Sequence, residues 1–400
     1  MMELSRKHLS ISKSLTLAIS AKAKEMKADG LDVIGFGVGE PDFPTPSFII
    51  AAAKEALDSG KTRYTAAAGI KELREAVCRK LKSDHGLDYR QEEIIISNGA
   101  KHSLYNAFQA ILNPGDQVII QSPYWVSYPE LVKMGGGKPV FVEASEQNDL
   151  KMKMADLEKA ITASTKAILI NSPSNPNGSV YNRAELERIA ELAVEHDLYL
   201  VSDEVYEKLV YDGLEHISLA SLGKEVQDRT ILVNGVSKTF AMTGWRIGYA
   251  AGPEAVISVM SNLQSHATSN PNSIAQYASV AALTHPASDE TVAKMVEQFA
   301  KRRDYMVEQL NLMAGLSCLK PGGAFYVMLN IQDLLAKKYQ GQRIDGSIDF
   351  ANLLLKAEKV AVVPGIAFGA DHLIRLSYAT SMDNIEKGLK RIESFVKEIV

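Results

Sequence analysis

Residues 231–252, ILVNGVSKTFAMTGWRIGYAAG, place one lysine and, eight residues later, one arginine in a polar loop between two apolar, strand-like runs. Lys238 follows Gly-Val-Ser after the run Ile231–Val233, a position that suits a crevice better than open solvent. An amine placed there can form a Schiff base, provided that burial and neighbouring cations lower its pKa from the usual value of about 10.4. Its neighbours Ser237 and Arg246 both suit a phosphate. On their own, a loop lysine and a salt-bridged arginine are the commoner meaning, so the rest of the chain decides. Asp203 closes the apolar run LYLVS, where a carboxylate either faces the same crevice or caps a following helix. Arg375 lies between apolar residues in HLIRLSY, and a guanidinium buried there needs an anion, from a ligand or from a structural partner.

From about residue 48 to 285, apolar runs alternate with helical patterns: EIIISNGAKHSLYNAFQAIL, DQVIIQSP, TKAILINSP, LYLVSDEVY, RTILVNG and RIGYAAG, with RAELERIAELAVEHD as an amphipathic helix. That alternation predicts an α/β fold with a large, doubly wound, mostly parallel sheet covered on both faces. Ligands of such sheets sit beyond the carboxyl ends of the strands, here Ser97-Asn98-Gly99, Asn171, Asp203 and the stretch 234–238. Gly99, Ala100 and Lys101 open a helix expected over Lys101–Leu112, which offers free N–H groups and a helix dipole to an anion. Tyr206 follows Asp203 by three residues and is expected on the same side of a helical turn, as a hydroxyl donor or as a packed core tyrosine.

The run VIGFGVGEPDFPTP is too rich in Gly and Pro for a long regular element. Its G-x-G-x-G spacing, with Pro41, Pro44 and Pro46 behind it, excludes a dinucleotide-binding turn. A helix is predicted over Leu15–Lys27, and from about 290 the pattern changes to helix, hairpin and helix. This predicts a smaller α+β domain. Residues 1–47 and 289–400 are assigned to it, and 48–288 to the large domain.

Four hundred residues suit two domains, and 46% hydrophobic with 23% charged residues is ordinary globular composition. The net charge of -4 argues against a nucleic-acid partner. Cys78 and Cys318 stand far apart without metal-ligand spacing, so neither a disulfide framework nor a metal site is expected. No apolar run reaches the roughly 18 residues of a membrane helix, and the N-terminus lacks a signal-peptide core, so a cytoplasmic protein is expected.

The pattern S-K followed by T-G-W-R-x-G-Y resembles the lysine segment of class I aminotransferases, the fold type I pyridoxal phosphate enzymes. GVGEPDFPTP at 37–46, YTAAAGIKELREA at 64–76, SPYWVSYPE at 122–130, NSPSNPNG at 171–178, VSDEVYE at 201–207 and IRLSYATS at 374–381 resemble that family's blocks in order and spacing, with the prokaryotic-type aspartate aminotransferases nearest. The resemblance implies pyridoxal 5'-phosphate as cofactor and ping-pong transamination through a Schiff base on Lys238. It gives Asp203 the ring nitrogen, Tyr206 and Asn175 the phenolate oxygen, Trp125 the ring face, and Gly99, Ala100, Lys101, Ser237 and Arg246 the phosphate. Arg375, Asn175 and Gly39, the last on a closing flap, are implied for the substrate α-carboxylate. Tyr64 is implied to reach the phosphate of a neighbouring subunit, making a homodimer with shared active sites.

Aspartate with 2-oxoglutarate is the expected substrate pair. SHATSNPN at 265–272 lacks the arginine that eukaryotic-type enzymes use for the distal carboxylate, so Lys101 is the candidate for that role, with phosphate neutralisation as its alternative. Lys13 and Thr16 are expected to close over the same pocket. Ser12 stands where a basic residue for prephenate would be sought. Aromatic or neutral donors, and carbon–sulfur lyase chemistry on the same fold, are the competing readings.

Overall fold

Strands that are apolar on both faces can be buried only if one sheet is covered on both sides. The computed structural model, which describes Leu9, Ile11, Ser12 and residues 15–400, meets that condition. Lys13 and the side chain of Thr16, expected over the substrate pocket, lie outside the described residues.

In chain order the first strands are β1 (Ile34–Gly35), β2 (Ile94–Ser97), β3 (Gln117–Ser122), β4 (Lys138–Ser145), β5 (Lys151–Met152), β6 (Thr165–Asn171), β7 (Tyr199–Asp203), β8 (Thr230–Gly235) and β9 (Gly248–Ala251). Then come β10 (Ser317–Cys318), β11 (Tyr326–Asn330), β12 (Lys338–Tyr339), β13 (Gln342–Arg343), β14 (Val360–Ala361), β15 (Val363–Pro364) and β16 (Leu373–Ser377). Eight of them form one sheet in the order β2-β9-β8-β7-β6-β3-β4-β5. Strands β4, β3, β6, β7 and β8 run parallel.

The run RIGYAAG, grouped with the parallel runs on its apolar pattern, corrects that grouping. It supplies β9, which is antiparallel to both β8 and β2. A short connection with no crossover helix can only return the chain antiparallel. Residues 236–247 therefore form the loop of a β8–β9 hairpin, and this loop carries Lys238 and Arg246.

Ile95, Val118, Leu169, Val201 and Val233 pack against helices Ala100–Ile111, Tyr128–Met134 and Glu254–Ala267. Ile119, Ile168 and Leu200 face the other way, toward helix Arg183–Glu195. Ile94, Ile96 and Leu232 meet helices Ser47–Asp58, Lys71–His85 and Ser273–Thr284. Each such buried aliphatic contributes about 1.5–3 kcal/mol, so the strand ends that carry the polar residues are held by a rigid frame. Helix Arg183–Glu195 starts with a capping box, in which Asn182 accepts from the Glu185 N–H and the Glu185 carboxylate accepts from the Asn182 N–H.

A four-stranded sheet, β10-β11-β16-β15, is antiparallel throughout and packs with helices Ser288–Asn311 and Met382–Lys397 around Phe299, Phe325, Phe350 and Phe395. Strand β1 pairs parallel with β14, Ile34 opposite Val360, and ties the N-terminal segment to this part of the chain. No described helix is long and apolar enough to cross a membrane.

Candidate active site

The carboxyl ends of β6, β7 and β8 lie side by side, with Asn171 opposite Asp203 and Asp203 opposite Val233. Asp203 is buried. Its Oδ2 accepts from Tyr128 Oη at 2.7 Å and its Oδ1 from the Val205 N–H at 3.3 Å. Burial pushes its carboxyl up to about 6, against the pull of these two donors and of Lys238. Tyr206 lies on the turn that follows β7, on the same side as Asp203, and its hydroxyl meets that of Tyr326 at 2.9 Å. Burial also raises the Tyr206 phenol well above its ordinary value.

Asn171 braces two neighbours at once. Its Nδ2 donates to the Asp203 carbonyl at 2.9 Å, and its Oδ1 accepts from the Asn175 N–H at 2.8 Å. Asn175 then presents its side-chain oxygen to Arg375 Nη1 at 3.0 Å. Arg375, on β16, also donates Nη2 to the Gly37 carbonyl at 2.9 Å and lies over the Tyr326 ring at 4.5 Å and the Phe368 ring at 4.8 Å. Its Nε has no partner and, among the described residues, no carboxylate pairs with it. A buried guanidinium left in that state has room for an anion.

Lys238 Nζ donates to the Gly39 carbonyl at 2.6 Å. Burial first, then the charges of Arg246 and Arg375, bring its pKa down to about 8, opposed by Glu40. Gly39 is tight for a second reason: a Cβ there would stand 2.8 Å from Tyr326 Oη. Ser237 beside the lysine is buried.

Helix Ala100–Ile111 points its first turn at the same place. One expectation needs correcting here, because the Gly99 N–H is not free but donates to the Ser97 carbonyl at 2.8 Å. The contact spans three residues, so the backbone angles of Asn98 at its centre aim this donor back at the strand, while the φ of +88° at Gly99, which glycine adopts easily, sets the direction in which the helix leaves. Gly99 contributes space instead, since a Cβ there would lie 2.3 Å from Arg246 Nη2. Arg246 itself donates to the carbonyls of Thr243 at 2.9 Å and Asn98 at 3.3 Å. The N–H groups of Ala100 and Lys101 open the helix, where no preceding turn supplies an acceptor.

Lys101 is exposed, with its ammonium 4.8 Å from the centre of the Trp125 ring. Partial withdrawal from water and the Arg246 charge hold its pKa below the ordinary value. The Trp125 ring meets Tyr128 edge-on at 5.2 Å. Tyr64 stands apart from this group and is 89% exposed. Tyr128 and Tyr326 are the polar residues that sequence reasoning missed; the only signal was their place in the motifs SPYWVSY and GGAFYV.

With this geometry in view, the sequence model described as "Aminotransferase class I and II" matches residues 31–392. The chain belongs to this family. As an aminotransferase of classes I and II it is 49% identical to the aspartate aminotransferase of Bacillus subtilis over 397 residues, covering 99% of this chain and 100% of the relative. It is 43% identical to the aspartate/prephenate aminotransferase of Nitrosomonas europaea, over 99% of this chain and 100% of that one. The crystal structure of the aspartate aminotransferase from Rhizobium meliloti superposes with a TM-score of 0.96 at 42% identity, covering both chains fully. That of Thermus thermophilus with maleate gives 0.93 at 45% identity, over 99% of this chain and 100% of that one.

Aminotransferases of this family use pyridoxal phosphate, and the residues present fit it. A buried carboxyl, an amine of lowered pKa, an open helix terminus beside Arg246 and a glycine whose missing Cβ leaves room lie together at the strand ends.

Proposed function

We propose that this aminotransferase moves the amino group of L-aspartate to 2-oxoglutarate, forming oxaloacetate and L-glutamate. The observation that carries this reading is a surplus of cations. Lys101, Arg246 and Arg375 have no described carboxylate partner, and Asp203 is the one buried carboxyl among the site residues. A phosphate would take Arg246 and an α-carboxylate Arg375, which leaves Lys101 for a second carboxylate, the feature that separates aspartate and 2-oxoglutarate from neutral substrates. The names of the relatives from Bacillus subtilis and Rhizobium meliloti support aspartate as the donor.

Pyridoxal phosphate, when bound, supplies the carbonyl that takes up the amine and the conjugated ring that receives the electrons of the broken Cα–H bond. Lys238, poised near neutrality by burial, carries the proton to and from the substrate Cα. Asp203, oriented by Tyr128, holds the ring nitrogen, and Tyr206 and Asn175 address the phenolate oxygen. Trp125 covers the ring. Ser237, Arg246 and the N–H groups of Ala100 and Lys101 hold the phosphate, with Gly99 giving them room. Gly39 and Asn175 assist Arg375 with the α-carboxylate.

Tyr64, exposed here, belongs at the phosphate of a second copy in a homodimer. Residues 48–288 are the proposed cofactor-binding unit and 1–47 with 289–400 the smaller one, in the cytoplasm. Ser12, whose N–H meets Glu130 Oε2 at 3.2 Å, brings no cation for prephenate.

An amino-donor screen of the purified protein against 2-oxoglutarate tests the reading. Aspartate should be the best donor. A preference for aromatic or neutral donors, or release of pyruvate and ammonia without an acceptor, would overturn it.

A further inference from the structure

The turn after β7 sends two pairs of side chains, each pair three residues apart, in opposite directions. Asp203 and Tyr206 meet Tyr128 and Tyr326 on the site side. Glu204 and Glu207, both buried, enter a second polar cluster. Glu204 Oε1 accepts from Ser202 and Ser218 hydroxyls, each at 2.9 Å, and from the Leu219 N–H at 3.3 Å, while its Oε2 faces His216 Nε2 at 3.1 Å. Glu207 pairs with the Lys80 ammonium and, through Oε2, with His85 Nε2 at 2.7 Å, both residues coming from helix Lys71–His85. Lys80 also meets Asp84 at 3.3 Å, and Asp84 meets Lys208 at 2.8 Å.

Two imidazoles and two carboxylates with donor atoms within 4.8 Å of one another have the makings of a metal site. Two features argue against that use. The Lys80 ammonium already occupies the cation's place at Glu207, and His216 Nδ1 is buried without a partner among the described residues. An ion taking Nε2 would force the ring proton onto that Nδ1, where nothing accepts it. Both carboxylates are engaged at each oxygen in a network of hydrogen bonds and ion pairs, which fixes backbone direction firmly once both acids are ionised. Burial works against ionisation of Glu204 and Glu207. The His216 contact reverses this for Glu204, as Lys80 and His85 do for Glu207, and both acids are held below the usual carboxylate range.

We propose that Glu204 and Glu207, clamped by His216, His85 and Lys80, are positioning residues that fix the directions of Asp203 and Tyr206 from behind. This rests on the reading that Asp203 and Tyr206 address the cofactor. Both acids belong to the same tight turn as the two site residues, so a rotation of the Glu204–Glu207 backbone carries Asp203 away from Tyr128 and Tyr206 away from Tyr326.

The test compares the His216→Ala, His216→Gln and Asp203→Asn holoenzymes. His216→Ala leaves Glu204 Oε2 without its buried partner. It should raise the dissociation constant of pyridoxal phosphate about tenfold, shift the pH midpoint of the bound cofactor's absorption, and lower kcat more than it alters KM. His216→Gln keeps a donor near Nε2 and should recover most of each property. If His216→Ala does not fold, Ser218→Ala, which removes one contact from Oε1, carries the test, with a change of about threefold expected. Unchanged affinity and absorption in the clamp variant, beside altered values in Asp203→Asn, would overturn the clamp alone. Unchanged values in Asp203→Asn would sink the reading of Asp203 and the clamp with it. One equivalent of Zn²⁺ bound by the wild-type holoenzyme and lost in His216→Ala would assign the cluster to a metal instead.

Discussion

Replacing Lys101 with serine removes one charge and leaves the helix intact, since Lys101 sits in the first turn of Ala100–Ile111 where serine is well tolerated. A charge-assisted contact to a substrate carboxylate contributes about 1.5–3 kcal/mol. The free enzyme already rests this ammonium 4.8 Å from the Trp125 ring centre, a cation–π contact worth about 0.5–1 kcal/mol that has to be given up or shared. The difference, about 0.5–2.5 kcal/mol, corresponds to a loss of about 2- to 70-fold in kcat/KM for aspartate. Alanine, which lacks the distal carboxylate, is the control donor and should lose less than about twofold. Steady-state kinetics with both donors at fixed 2-oxoglutarate, corrected for cofactor occupancy, provide the measurement. Equal losses for aspartate and alanine would refute the reasoning and assign Lys101 to the phosphate.

Lys238→Ala should abolish multiple turnovers while the protein keeps its far-ultraviolet circular dichroism; near-normal turnover would remove the basis of the proposed chemistry. Mixing the Tyr64→Ala and Lys238→Ala proteins should restore activity that neither has alone, because one site of each hybrid dimer would be intact; no recovery after proven subunit exchange would count against a shared site. Tyr128→Phe deletes the stronger donor to Asp203, so an infrared titration of the apoprotein should place that carboxyl above its present value of about 6, and a midpoint at or below 6 would contradict the assignment. Lys238 titrates at about 8 when folded against 10.5 when unfolded, so the unfolded chain holds more protons between those values and the apoprotein gains stability as pH rises through that window. Lys238→Met should therefore be more stable than wild type below pH 8, with the gap closing toward 10.5, and a gap independent of pH would rule the buried charge out as its cause.

The strand ends were legible in the sequence because buried parallel strands announce themselves as unbroken apolar runs, and a polar residue that ends such a run is a candidate for the crevice, with a helix cap or a plain loop position as its alternative. Asp203, Asn171 and Lys238 were found in that way, and Arg375 by its apolar flanks. Tyr128 and Tyr326 were not, because their partners lie 75 and 120 residues away in the chain and only the folded sheet brings them together. The same holds for Glu207 with His85, 122 residues apart. The direction of β9 escaped because apolar content reports burial and is silent on polarity of the strand. The engaged Gly99 N–H escaped because the tight turn centred on Asn98 is a backbone property that the helical pattern downstream does not encode.

The β8–β9 hairpin closes with Gly235 opposite Gly248, and a Cβ on Gly248 would stand 2.1 Å from the Ala100 nitrogen. The loop that holds Lys238 and Arg246 is thus clamped at its base against the start of helix Ala100–Ile111. An insertion or deletion in 236–247 that was passed on to β9 as a slip of one residue would exchange the faces of Tyr249 and Ala250 and break two packed layers together. A slip of that kind should be as costly as the loss of a core side chain.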